Sequence, residues 1–164
     1  MKNILISALT ALSFIIISCG GNDCSGDFPN YNDELCWSDL SDSMTWGEAA
    51  GYCNNMGGRL PTISELRTLI KNCPSTETGG ECRVTDDCIT ENCRKESECR
   101  NCEDDESKSG RYSVFKDTVP GMWSSSKRTD SICDAWGVNF ENGFVGSCYG
   151  EGLYSYSYVR CVKN

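Results

Sequence analysis

The stretch Met44-Thr-Trp-Gly-Glu-Ala-Ala-Gly-Tyr-Cys-Asn-Asn-Met-Gly-Gly-Arg-Leu-Pro-Thr-Ile-Ser-Glu-Leu66 carries two helix starts in close succession, and its reading decides the fold. Thr45-Trp-Gly-Glu48 has capping-box spacing, in which a threonine hydroxyl and a glutamate three residues later satisfy each other's free amides. Trp46, Ala49, Ala50, Cys53 and Met56 follow at helical intervals, and Gly57-Gly58 can end the helix. Thr62-Ile-Ser-Glu65 repeats the box, and Ile63, Leu66, Leu69 and Ile70 form the apolar stripe of a second helix. Pro61 holds the residue before it extended, so the two helices are separate elements.

Downstream the period changes. Met122-Trp-Ser-Ser125 reads as a short strand, and Trp136, Val138 and Phe140 alternate with Gly137 and Asn139. Asn142-Gly143 is a hairpin signal, with Phe144 and Val145 opening the return strand. The tail from Tyr154 to Val162 alternates again and reads as a final strand bringing Cys161 into the body. Helices followed by antiparallel strands indicate an α+β fold: two helices packed on a short-stranded antiparallel sheet.

Between helices and strands lies a segment of another character. Residues 73–108 hold six cysteines and many charges but few large apolar side chains, so cross-links are expected to replace a core there. Six is an even number, and these cysteines can satisfy one another within a self-contained insert. An acid-rich loop invites a cation-site reading, but no Asp-x-Asp-x-Asp-Gly spacing is present, and a solvated, stapled loop is the better reading.

The N-terminus reads as an address. Lys2 precedes an apolar run from Ile4 to Ile17 that is short for a membrane span, which needs roughly 20 residues. Ile16-Ile-Ser-Cys19 resembles the lipobox of bacterial lipoproteins, which assigns residues 1–18 to a signal peptide and Cys19 to acylation. The expected location is the bacterial cell envelope, lipid-anchored at the outer membrane or cell surface. Several acyl chains make such an anchor stable where a single chain does not. Residues 19–34, rich in Gly, Asn, Asp and Pro, read as a spacer, and 35–164 as the domain.

Cysteine parity agrees with that address. There are thirteen cysteines, and assigning Cys19 to lipid leaves twelve that can pair completely in an oxidising compartment. Zinc is the competing use of thiols, but the chain has no histidine and one Cys-x-x-Cys unit, Cys99 to Cys102, so no metal or other cofactor is expected. The formal charge of −9 argues against nucleic-acid partners and leaves the lipid to hold the membrane without a basic patch. Absence of histidine also removes the usual acid-base and triad chemistries.

The motifs around Trp46 and Cys53, then Gly58-Arg-Leu-Pro-Thr62 with Glu65-Leu66, Trp123-Ser-Ser-Ser126, Trp136-Gly-Val-Asn-Phe140 with Gly143, and Tyr158-Val-Arg-Cys-Val162 carry a resemblance. Taken in order, they resemble the Fibrobacter succinogenes major paralogous domain and the C-terminal domain of the Legionella collagen-like adhesin. Both are similar to the C-type lectin-like fold, which also underlies formylglycine-generating enzymes. The resemblance implies a bond between first helix and last strand, here Cys53 with Cys161. By the same analogy Cys133 pairs with Cys148 and Cys24 with Cys36, while the insert's pairing stays open among 15 arrangements.

The function so implied is a non-enzymatic binding or adhesion module facing a glycan or an envelope or host protein. Neither Glu-Pro-Asn nor Gln-Pro-Asp occurs, which speaks against calcium-bridged sugar recognition. Tyr154 and Tyr156, set between serines, are candidate ligand contacts, as is Arg59, although an arginine there more often pairs with a nearby acid. An oxidase resembling formylglycine-generating enzymes is the enzymatic alternative, but paired cysteines leave it no thiolate. A structural surface antigen without a small ligand is the third reading.

Overall fold

A computed structural model of the chain describes residues 24–102, 111–130, 135–147 and 155–164. It is a mixed α+β arrangement of two small antiparallel sheets and three helices. One sheet has the order β1-β2-β6, from strands β1 (Asn30–Asn32), β2 (Leu35–Trp37) and β6 (Val162–Lys163). The other has the order β3-β4-β5, from β3 (Met122–Lys127), β4 (Ala135–Asn139) and β5 (Phe144–Ser147).

Both expected helices form behind their capping boxes. Helix α1 (Trp46–Asn55) has Thr45 as N-cap, and α2 (Ile63–Arg67) has Thr62, each with the reciprocal threonine and glutamate bonds in place. Helix α2 stops at Arg67, and Leu69 and Ile70 reach the core from the turn that follows. A short α3 (Glu96–Cys99) lies in the insert.

Adjacent residues of a strand point to opposite faces, and this chain uses that alternation to divide its interior. Met122, Trp37 and Val162 join one cluster with Ile63, Leu66, Trp136 and Phe140. Their neighbours Trp123, Cys36 and Cys161 pack in or against a second cluster with Ala49, Cys53, Leu60 and Phe28. Helix α2 serves the first cluster and α1 the second. Gly58 sits where they close: a Cβ there would lie 2.5 Å from the Phe28 ring and 2.8 Å from the Val162 carbonyl oxygen.

Three sequence expectations need correction. Residues 24–34, read within a spacer, are part of the fold, because Cys24 is bonded to Cys36 and β1 pairs with β2 through the turn Asp33-Glu34. Both turn residues have positive φ, 49° and 64°, the conformation a two-residue hairpin requires. The second hairpin is longer than its Asn-Gly signal suggests: Asn139 pairs with Phe144, so residues 140–143 form the loop, closed by the Gly143 amide donating to the Asn139 carbonyl at 2.8 Å. Among its described residues the tail contributes only β6 as a strand, preceded by single bridges from Ser157 to Met44 and from Tyr158 to Met122.

The insert holds a further surprise. Its six cysteines do pair among themselves, in nested order: Cys73 with Cys102, Cys82 with Cys99, and Cys88 with Cys93. Yet the insert is no separate body, since Cys73, Cys82, Val84, Cys99 and Cys102 belong to the first cluster. Half-cystines are apolar once bonded, so the cross-links themselves supply the core that the composition lacked.

Candidate functional site

Helix α1 turns Ala49 and Cys53 inward, which leaves Trp46, Ala50 and Asn54, spaced four apart, along one margin of the helix. Opposite them run Arg59, Leu60 and Thr62, on the approach to α2, and Ser125 of β3. Together these residues line a cleft of about 330 Å³. The small side chain of Ala50 makes the room.

Its walls are fixed from behind. The Trp46 indole N–H donates to the Ser124 carbonyl at 2.8 Å, and the Lys127 ammonium lies 4.5 Å from the centre of the same ring system. Ser125 donates backbone and hydroxyl hydrogen bonds to the Pro61 carbonyl, at 2.7 and 3.2 Å. Leu60, 4% exposed, is an apolar floor. The Asn54 carboxamide makes no hydrogen bond among the described residues and is available to a ligand.

Arg59 stands at the rim, and its fork is already engaged by Glu65 in a bidentate pair, both bonds 2.7 Å. Burial pushes the Glu65 carboxyl up, but the Arg59 guanidinium and the Thr62 amide outweigh it and hold it below the ordinary 4.5. A folded value below the unfolded one stabilises the protein above the ordinary range, and that contribution fades as pH falls through the folded value. The wild type should therefore lose more thermal stability than Glu65→Gln when pH falls from neutral to the acid side of 4.5. Glutamine keeps the capping box and removes the charge. Because the Arg59 side chain is 43% exposed, solvent screens the pair and the difference should be small. Parallel pH profiles in melting experiments would remove this account.

Of the other sequence candidates, Tyr156 is 69% exposed and is not among the cleft's lining residues. Tyr154, Cys19, Cys133 and Cys148 lie outside the described residues. Cys24 is bonded to Cys36 and Cys53 to Cys161. Trp123 and Trp136 are buried, and their indole N–H groups donate to the Met44 and Ile89 carbonyls at 2.9 and 2.8 Å. Among the described residues, no group of three or more carboxylates and cysteines is placed to hold a metal ion.

The sequence reading missed Arg67. It is 2% exposed, and its guanidinium donates to the carbonyls of Thr76, Glu77 and Val84, clamping the start of the insert. Burial lowers its pKa to about 10. Only a basic residue in the last turn of α2 hinted at this, and such residues are usually solvated. The nearby hollow, about 340 Å³ between Asn32, Asp33, Thr68 and Thr78, is therefore backed by a cation whose donors serve the protein itself.

A family model described as the Lcl C-terminal domain matches residues 29–163. No curated protein and no solved structure matches the chain.

Proposed function

The chain belongs to the Lcl C-terminal domain family over residues 29–163, and from that premise we propose a lipid-anchored envelope protein that acts as a non-enzymatic binding module. In this reading the body is C-type lectin-like, Cys19 carries the lipid, and the cleft between Trp46 and Arg59 receives the ligand. The observation that supports it is the cleft itself: a fixed indole wall, an apolar floor and a free carboxamide in one concavity. Such a lining suits a ligand with one apolar face and a few polar groups, as a sugar ring or a peptide side chain offers. Ten cysteines are held in five disulfides, which favours a binding role over thiolate chemistry.

The test is a binding screen of the oxidised domain against glycans, peptides and envelope extracts, with and without calcium, beside an Ala50→Trp variant. The indole fills the cleft from the exposed margin of α1, so any ligand seated there should bind at least about tenfold more weakly. Undiminished binding to the variant would move the site elsewhere, and a screen with no ligand above background would count against the module altogether.

A further inference from the structure

We propose that the β1–β2 hairpin lies against the membrane surface, with Tyr31 seated in the zwitterionic headgroup layer. The inference rests on the reading of Cys19 as the lipid attachment point, and it concerns what the fold does with such an anchor.

Residues 20–23 alone separate Cys19 from Cys24. Five backbone steps span at most about 18 Å, whatever their conformation. Cys24 is bonded to Cys36 in β2, and Cys36 is the register partner of Tyr31 in β1. Directly opposed residues of antiparallel strands project from the same face, with Cβ atoms about 5 Å apart. Tyr31 is thus next to the point where the tether is riveted to the fold, and it is one of the few large apolar side chains left exposed, at 47%.

A tyrosine at that place suits the boundary between hydrocarbon and water, with its ring on the apolar side and its hydroxyl wet. One such contact is too weak to recruit a soluble protein. A tether of this length raises the local concentration of membrane seen by Tyr31, so a weak contact becomes populated and sets the orientation of the domain. The flanking acids Asp27, Asp33, Glu34 and Asp39 decide the lipid class, because they oppose an anionic surface and tolerate a neutral one. Opening the Cys24–Cys36 bond would move the first firm hold to buried Phe28 and lengthen the tether by about 14 Å.

The experiment uses the full lipidated chain, purified from its envelope and reconstituted in phosphatidylcholine vesicles carrying a nitroxide quencher at headgroup depth. A Tyr31→Trp variant is compared with Tyr156→Trp, an equally artificial indole at another exposed tyrosine. Trp37, Trp123 and Trp136 are buried and Trp46 lines the cleft in every variant, so the emission added at position 31 or 156 is read by subtracting the wild type measured in the same vesicles. Quenching of the residue-31 indole should be at least about twofold stronger than at 156. It should fall in a Cys24→Ala/Cys36→Ala background and when anionic lipid is added. Equal quenching at 31 and 156, or no response to anionic lipid, overturns the proposal.

Intact-mass measurement of the same sample separates the two readings. If Cys19 carries no lipid the anchoring reading fails, and the hairpin is then tested with a hexahistidine at position 19 held on a nickel-chelating lipid. Stronger quenching at 31 than at 156 in that setting supports the docking geometry, and its absence overturns it.

Discussion

Replacing Cys53 and Cys161 together by alanine is expected to remove about 5 kcal/mol of stability and to lower the melting temperature by about 15 °C. The two are 108 residues apart in sequence, so the bond closes the longest loop among the described cross-links and restricts the unfolded chain most. Both side chains are fully buried in the second cluster, so the truncations also leave voids beside Ala49, Leu60 and Trp123. The same substitution at Cys88 and Cys93, only five residues apart, should cost about 2 kcal/mol at most. That pair is nested inside two other bonds, which have already confined its loop. Denaturant titrations of the two double variants check the contrast. Comparable losses would mean that loop length does not govern stability here.

The second large effect is expected at Arg160 and Asp117. Both are buried, at 5% and 6% exposure, and joined by two bonds: Nε to Oδ2 at 2.9 Å and Nη2 to Oδ1 at 2.7 Å. Each partner makes a further bond of its own. Arg160 Nη1 donates to the Ser38 carbonyl, and the Ser113 hydroxyl donates to Asp117 at 3.1 Å. The guanidinium also lies 4.8 Å from the centre of the Phe115 ring. Asp117→Ala strands a buried cation and should cost about 3 to 5 kcal/mol, whereas Arg160→Met combined with Asp117→Leu should cost far less. Equilibrium unfolding of Arg160→Met, Asp117→Leu and their combination forms the cycle. Additive losses would show that the pair does not act as a unit.

How much of this was legible before the structure depends on how local each signal is. The capping boxes at Thr45 and Thr62 are complete within four residues, and both helices start where they should. The strands β3, β4 and β5 were visible because their alternation is local too. Arg67 was not legible, because its partners are three carbonyls of an insert whose path no periodicity describes. Arg160 and Asp117 are 43 residues apart, and nothing in either neighbourhood points to the other. For the cleft the residues were in view but their use was not. Trp46 and Ala50 fit the apolar periodicity of α1, while the margin they share with Asn54 becomes a wall only when Leu60 and Ser125 arrive opposite.

The concentric bonding of the insert has a consequence for what happens when its backbone is cut. Any hydrolysed peptide bond between residues 73 and 102 leaves one fragment ending beyond Cys73 and the other beginning before Cys102, joined locally through that bond and again through Cys53–Cys161. A cleaved molecule would run as a single band in non-reducing electrophoresis and as two after dithiothreitol. Exposed Arg83, Lys95 and Arg100 can thus be cut by a trypsin-like enzyme in the surroundings without release of either half.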